Sequence, residues 1–522
     1  MTRRPHIAAI FAALAAFAVP APPASAQHPA APRPNILVVL TDDVGWGDFA
    51  CYNPAGKVPT PTFDRLARQG MRFTNAHSPA ALCSPTRYSM VTGNYPVRSR
   101  LAAGVWTFDT PSALKPGQKT VANLLHDAGY RTAMYGKAGF GGHFATHPEP
   151  ATDKLAPFQW GFDYSFLIPR GHQATPHAFF ENGVSPIGET DPAWDPSKIA
   201  ERLLDRAEYF LDDHLAKNKT SANPSPFFIH FCTDGAHSPY APAASVRGTP
   251  LKGVTKMTAH TDMVHETDLL TAKLLDMLDR RGLLADTLVI VTSDNGGLPY
   301  ERSYGHDAVG GLRGAKSFVF EGGHRVPFIA WWGGATANPK IPAGTIRHQV
   351  IGAHDVVATA LELAGVPKPP DQAIDSVSLA PVLLGLRDDS QPVRTSLLVQ
   401  SSPGRGPSDD GGFHDASVQM TNKDAAALKR GEDPEGDDNA PKDKKKIKKA
   451  KKADEFGGMA FAILEGDWKL VLDSTGKPAA LYDLSNDLAE QKNLLKDPSQ
   501  SARVGALATE FRNVRSSLRS NP

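Results

Sequence analysis

Asn35–Leu40 (Asn-Ile-Leu-Val-Val-Leu) is a near-continuous apolar run closed by polar residues, the pattern of a strand covered on both faces. Similar runs recur at Arg131–Tyr135, Phe227–Cys232, Thr287–Thr292 and Val326–Trp331. Helical patterns lie between them at Thr120–Ala128, Ile199–Leu215, Thr261–Leu278 and His354–Ala364. In the third of these Met263, Leu270, Leu274 and Leu278 repeat at helical spacing, which assigns His265 and the acidic residues of that helix to a solvated face. Strands alternating with helices predict an α/β fold built on a large, mixed but mostly parallel sheet sandwiched by helices. Ligands of such sheets gather at the carboxyl ends of the strands. Met459–Leu464, Trp468–Leu472 and Ala480–Leu484 read as short strands of a smaller antiparallel sheet, and so predict a C-terminal α+β subdomain.

Between the two patterns the composition changes. Residues 402–456 are rich in Gly, Asp and Lys, with an acidic patch (Glu432–Asp438) ahead of a basic one (Lys442–Lys452), and read as a solvated, disordered insertion. Binding of those lysines to a sulfated glycan or membrane surface is the alternative. The N-terminus carries Arg3 and Arg4, an apolar run Ile7–Val19 and then Ala24-Ser25-Ala26. That is the layout of a signal peptide removed after Ala26, and the run is too short to span a bilayer. The expected organisation is a leader (1–26), a Pro/Ala-rich linker (27–33), a catalytic domain (34–395) and a C-terminal subdomain (396–522). An exported protein, periplasmic or secreted and without stable membrane insertion, follows. Charge adds little: a net +1 on 522 residues gives no overall pull toward nucleic acid. Three cysteines leave one unpaired in any case, and Cys51 with Cys232 could pair or stay reduced.

The chemistry centres on Leu82–Gly93 (Leu-Cys-Ser-Pro-Thr-Arg-Tyr-Ser-Met-Val-Thr-Gly). Pro85 suits a first helical turn and Ser84 is a good cap, so the helix is expected to start just after Cys83. Cys83 then sits at the positive end of a helix dipole and Arg87 one turn further along the same face, an arrangement suited to an anion. A cysteine phosphatase would need five residues between Cys and Arg, and here there are three. Asp42-Asp43 follows the first strand and Asp294-Asn295 follows another, in Val-Thr-Ser-Asp-Asn-Gly-Gly. Alone, each pair could be an Asx turn. Together they are oxygen donors at two strand ends that can converge on one hard cation, without the His or Cys that zinc prefers. Asp48 falls outside this set and is assigned a structural role.

Cys83-Ser84-Pro85-Thr86-Arg87 followed by Thr92-Gly93 resembles the signature of type I sulfatases, within the alkaline-phosphatase-like superfamily. The resemblance runs from about Pro34 to Leu495, insertion excluded, and includes both acidic pairs and the C-terminal words Gly466–Leu470 and Leu481–Leu484. It implies that Cys83 is oxidised by a maturating enzyme to formylglycine (3-oxoalanine), whose hydrate is the nucleophile. It implies Ca²⁺, with Mg²⁺ second, held by Asp42, Asp43, Asp294, Asn295 and residue 83. Lys137, in Tyr-Gly-Lys, matches the family lysine that contacts sulfate and nucleophile. Lys316 matches the lysine that holds sulfate near the leaving oxygen, and His237, in Asp-Gly-Ala-His-Ser-Pro, the histidine that protonates the leaving alcohol. The implied activity is hydrolysis of a glycan or aryl sulfate ester.

The sequence departs from the family at Gly139, where Gly-Lys-Trp-His usually places a histidine that helps expel sulfate. His143, His172 and His306 are candidates to replace it. The departure also leaves room for a sulfated-glycan-binding protein without turnover, and the fold for a phosphate or phosphonate ester hydrolase. Ile168–Gly183 and Tyr300–Gly311 are expected to shape the substrate pocket, because loops above strand ends carry specificity.

Overall fold

The computed structural model describes residues 33–517 apart from 102–103, 107–109, 143–156, 173–175, 184, 186–189, 333–339, 406 and 408–457. The expected leader, most of the linker and most of the Lys-rich insertion lie outside the described residues. Among the described residues no helix is long and apolar enough to cross a membrane.

The large sheet has nine strands: β1 (Asn35–Thr41), β2 (Met71–Phe73), β3 (Arg131–Lys137), β4 (Tyr164–Ile168), β5 (Phe180–Glu181), β6 (Phe227–Cys232), β7 (Thr287–Ser293), β8 (Phe328–Trp332) and β9 (Thr345–Arg347). Their spatial order is β9-β2-β8-β7-β1-β6-β3-β4-β5. The middle of the sheet, β7-β1-β6-β3-β4, is parallel throughout, while β8 and β5 run against their neighbours. Every residue of β1 is buried, and the alternation of the strand explains how. Ile36, Val38 and Leu40 enter one core with helices α2 (Cys83–Thr92), α3 (Val121–Asp127) and a later helix, Val356–Leu363. Leu37 and Val39 enter the other, with α1 (Pro61–Gln69), α4 (Ile199–Lys219) and α5 (Ala259–Arg280). Helices therefore cover both faces, which is why β1 reads as an unbroken apolar run.

The expected central strands and helices are present, with ends shifted by a few residues. β4 and the short edge strands carried no apolar run long enough to be read. One expectation fails in part: α5 is buried on more than one side, and Asp262, Glu266 and Asp268 do not belong to a solvated face. Asp268 accepts the first N–H groups of α1, from Thr62 (3.2 Å) and Phe63 (2.8 Å), and Asp262 binds Thr255 N–H at 3.1 Å. Glu266 is also buried, whereas His265 is half-buried and Asp276 and Asp279, near the end of the helix, are exposed.

A second sheet is antiparallel, in the order β10 (Leu397–Gln400), β11 (Phe461–Glu465), β12 (Trp468–Leu472) and β13 (Pro478–Asp483). Its core, with Leu507 and Phe511 of the last helix, also takes in Phe318, Val319 and Phe320, so it packs against the loop that carries Lys316.

Candidate active site

Parallel strands deliver their polar ends to one rim. β1 ends in Asp42 and Asp43, β7 in Asp294 and Asn295, β3 in Lys137, and the loop after β6 brings His237. Asp43 has φ 60, a left-handed conformation that Asp tolerates better than most residues. Gly45 and Gly47 let segment 307–310 press onto the same loop, since a Cβ would stand 2.1 Å from Ala308 O and 2.2 Å from Asp307 O respectively.

α2 comes in from the side. Cys83 is its first residue; Leu82 is the cap, in extended conformation. Ser84, expected to cap, lies inside the helix, and its Oγ accepts from Trp106 N at 3.3 Å. Gly93 closes the helix with φ 68, its N–H donating to Ser89 O. All ten residues are buried, and the polar ones are satisfied locally: Thr86 Oγ1 donates to Ala80 O, Ser89 Oγ to Pro85 O and Thr92 Oγ1 to Tyr88 O.

One turn after Cys83, Arg87 is fully engaged. Its Nε and Nη2 donate to Asp294 Oδ2 (2.9 and 2.7 Å) and its Nη1 to Lys137 O (2.8 Å). Lys137 Nζ donates to Asp42 Oδ2 at 2.7 Å, Lys316 Nζ to Asp43 Oδ2 at 2.6 Å and Asn295 Nδ2 to Asp43 Oδ1 at 2.8 Å. The Cys83 side chain lies within electrostatic reach of Arg87, Lys137 and Lys316. The predicted residues thus form one buried cluster.

Three carboxylates face three fixed cations. Burial opposes ionisation of Asp42, but Lys137 and Arg87 outweigh it and hold the carboxyl far below its ordinary range. Asp294 goes the other way: burial, reinforced by the charge of Asp42, pushes it up to about 7. Burial and then Lys316 and Lys137 push His237 down to about 3, so its ring is neutral near pH 7. Its Nδ1 donates to Ser238 O (2.7 Å), which turns Nε2 toward Asp43 Oδ2, 3.8 Å away.

The donor set fits a hard divalent cation. Asp42, Asp43 and Asp294 each offer an oxygen within 4.8 Å of the others. Asp42 Oδ1 and Asn295 Oδ1 are buried without a hydrogen-bond partner, a costly state for oxygen atoms that a cation would relieve.

Of the three candidates to replace the family histidine at Gly139, His143 lies outside the described residues. His306 is committed to Asp48 (Nε2 to Oδ1, 2.7 Å) and to Lys57 N, which also gives Asp48 its structural role. His172 binds Asp234 Oδ2 through Nδ1 (2.9 Å) and Pro239 O through Nε2 (2.9 Å). Burial lowers the proton affinity of the ring and Asp234 raises it, and the second effect prevails. His172 and Asp234 thereby grip both ends of the loop bearing His237, a pairing of distant residues that no local pattern announces. Tyr300–Gly311 packs on the loop after β1. Cys51, Cys83 and Cys232 are all free, and burial pushes the Cys51 and Cys232 thiols up to about 12.

The sulfatase family model matches residues 34–366. The chain is 31% identical over 372 residues to N-acetylgalactosamine-6-sulfatase of Rattus norvegicus, covering 67% of this chain and 66% of that protein. It is 32% identical over 372 residues to arylsulfatase A of Homo sapiens, covering 67% and 68%. The alignments therefore span about two thirds of these relatives. Among solved structures, a protein from a Bacteroides thetaiotaomicron locus for glycosaminoglycan metabolism superposes with a TM-score of 0.70 at 24% identity, over 93% of this chain and 100% of that one. The phosphonate monoester hydrolase of Agrobacterium radiobacter does so with 0.56 at 18% identity, over 93% and 96%. At these identities the two structures show the fold, alkaline-phosphatase-like, and the matches in sequence go further. The chain belongs to the sulfatase family.

Proposed function

We propose that this sulfatase-family protein hydrolyses sulfate esters, of a carbohydrate or a small aryl alcohol, to the alcohol and inorganic sulfate. The observation that carries the reading is the convergence of Arg87, Lys137 and Lys316 with four oxygen-bearing residues around Cys83. Asp42, Asp43, Asp294, Asn295 and residue 83 would hold Ca²⁺, or second Mg²⁺, which supplies positive charge for the sulfuryl group and for the attacking oxygen. Oxidised by a maturating enzyme to formylglycine, residue 83 would supply as its hydrate one hydroxyl for sulfur and a second whose collapse releases sulfate.

The remaining work falls to the chain. Arg87 fixes Asp294 and, through the Lys137 carbonyl, the end of β3. Lys137 and Lys316 present their ammonium groups to the sulfate once the carboxylates beside them turn to a cation. His237 is neutral in the ligand-free pocket. The negative charge of a bound ester raises its proton affinity, and Nε2 can then donate to the departing oxygen. The protein is proposed to act after export, with its leader removed after Ala26.

Mass spectrometry of the tryptic peptide Phe73–Arg87, from protein produced with a maturating enzyme, should show an aldehyde at residue 83. Retention of sulfur there in a preparation that hydrolyses sulfate esters refutes the mechanism. Asp42→Ala and Asp294→Ala are expected to abolish both activity and calcium binding by calorimetry; unchanged calcium affinity would remove these residues from the metal site. A second reading, phosphonate or phosphate ester hydrolysis, is favoured by the shared fold with the Agrobacterium enzyme. Faster turnover of an aryl phosphate than of the matching aryl sulfate would establish it.

A further inference from the structure

Lys316 stands on a loop with little support from the large sheet. Its own N–H reaches Gly297 O at 3.3 Å, and Ser317 after it has φ 82, in the left-handed region. One firm contact, Ser317 N–H to Ala81 O at 2.7 Å, comes from the residue before the α2 cap; those that flank Lys316 on both sides come from the C-terminal sheet and the residues next to it. On one side of Lys316, Arg313 Nη1 donates to Glu490 O (2.9 Å) and Tyr482 Oη (3.1 Å). On the other side, Glu321 N–H donates to Glu490 Oε2 at 2.6 Å, and Glu321 Oε1 accepts from Lys469 Nζ at 2.9 Å. Lys469, on β12, also reaches Glu490 Oε1 (2.8 Å) and His324 Nε2 (2.9 Å). Between these anchors Ser317 O accepts from Ser402 N at 2.9 Å, just beyond β10. Glu490 alone thus grips both sides of Lys316, one through its carbonyl and the other through its carboxylate.

Lys469, Glu321 and Glu490 are completely buried. A well-packed apolar cluster would serve stability at least as well, so the energy of the fold does not explain charges here. Glu321 also lies within 4.8 Å of His77 and His324, and Lys469 and Arg325 bind its two oxygens. Directional bonds to both flanks of one loop accomplish something else: they fix where Lys316 points.

We propose that Lys469, Glu321 and Glu490 form a positioning device by which the C-terminal sheet sets Lys316 against Asp43. The kinetic part of this rests on Lys316 acting on the sulfate group as proposed above; the structural part does not. Lys469→Met should lower kcat for a sulfate ester about tenfold to a hundredfold with a smaller change in KM, and Lys469→Arg should recover much of the loss. In a Lys316→Ala background Lys469→Met should cost little more, because the group it positions is already gone. An undiminished effect in that background overturns the proposal. Hydrogen exchange gives a readout free of chemistry: peptides spanning 313–325 should exchange faster in Lys469→Met while those of β1 and β7 do not. Unchanged exchange in 313–325 also overturns it. Should Lys469→Met fail to fold, Arg313→Gln breaks the opposite anchor and leaves the buried charges paired, and the same cycle and exchange measurement apply. If exchange responds as stated but the parent protein hydrolyses no sulfate ester, the proposed function fails and the structural inference stands.

Discussion

Gly139 replaces a side chain with a close approach. Its φ is 76, and a Cβ built there would stand 3.0 Å from Arg87 Cδ. Arg87 cannot yield easily, because three of its donors are bound to Asp294 and Lys137. Gly139→Ala should therefore lose activity about tenfold or more, with about 1–2 kcal/mol of backbone cost from the left-handed conformation. Gly139→His is expected to lower turnover too, although it restores the family residue; steady-state rates on an aryl sulfate decide this. His237→Ala should cost about 10²–10⁴-fold on an ester with a sugar alcohol as leaving group. It should cost much less on an activated aryl sulfate, whose departing oxygen needs no proton. Glu266 offers a pH test away from the chemistry. It ionises at 4.5 ordinarily, whereas burial and then the charge of Asp234 push it up to about 8 in the fold. Between those values the folded chain keeps a proton that the unfolded chain has lost, so stability falls as pH rises through this window and levels off above it. Glu266→Gln removes that fall: its melting temperature should match the parent near pH 5 and exceed it by several degrees above pH 8.

Elements were legible where burial writes a pattern. β1, β3, β6 and β7 are covered on both faces and appear as apolar runs, and the residues that the candidate site uses lie at or just beyond their carboxyl ends. α5 was legible as a helix but not in its surroundings: Asp268 and Glu266 are buried through bonds to a helix end and a loop distant in sequence, and Asp262 through bonds to the loop just ahead of the helix. The same limit hid what His172 does, although the residue itself was named as a candidate to replace the family histidine. Its two bonds, to Asp234 and to Pro239, bracket the loop of His237, and neither partner is near it along the chain. Replacing it by Leu should release that loop and leave the buried Asp234 carboxylate unpaired, lowering kcat about tenfold on the sugar sulfate and the melting temperature by several degrees. A fully active His172→Leu would remove this bracing role. Cys83, Arg87 and the acidic pairs could be named from sequence because each sits in a short contiguous motif at a helix start or beyond a strand end, although their bonding partners are distant along the chain.

At the scale of the molecule, the two sheets meet at the Lys316 loop, a junction that no stretch of sequence reveals. The Lys-rich insertion leaves and rejoins at neighbouring points: Ser401 N donates to Ala460 O at 2.9 Å, and Gln400 pairs with Phe461. Substituting a short turn for residues 408–457 should therefore leave the melting temperature and the rate on a small aryl sulfate nearly unchanged. A large loss of either would show that the segment takes part in the fold or the site. The burial of α2 bears on how the protein is made. Cys83 is 3% exposed and every residue of its helix is interior. An enzyme that must seize this stretch to oxidise the sulfur finds it only while the chain is still open. If residue 83 becomes an aldehyde, the change is a step in biosynthesis, and a finished molecule that missed it has no later chance short of unfolding.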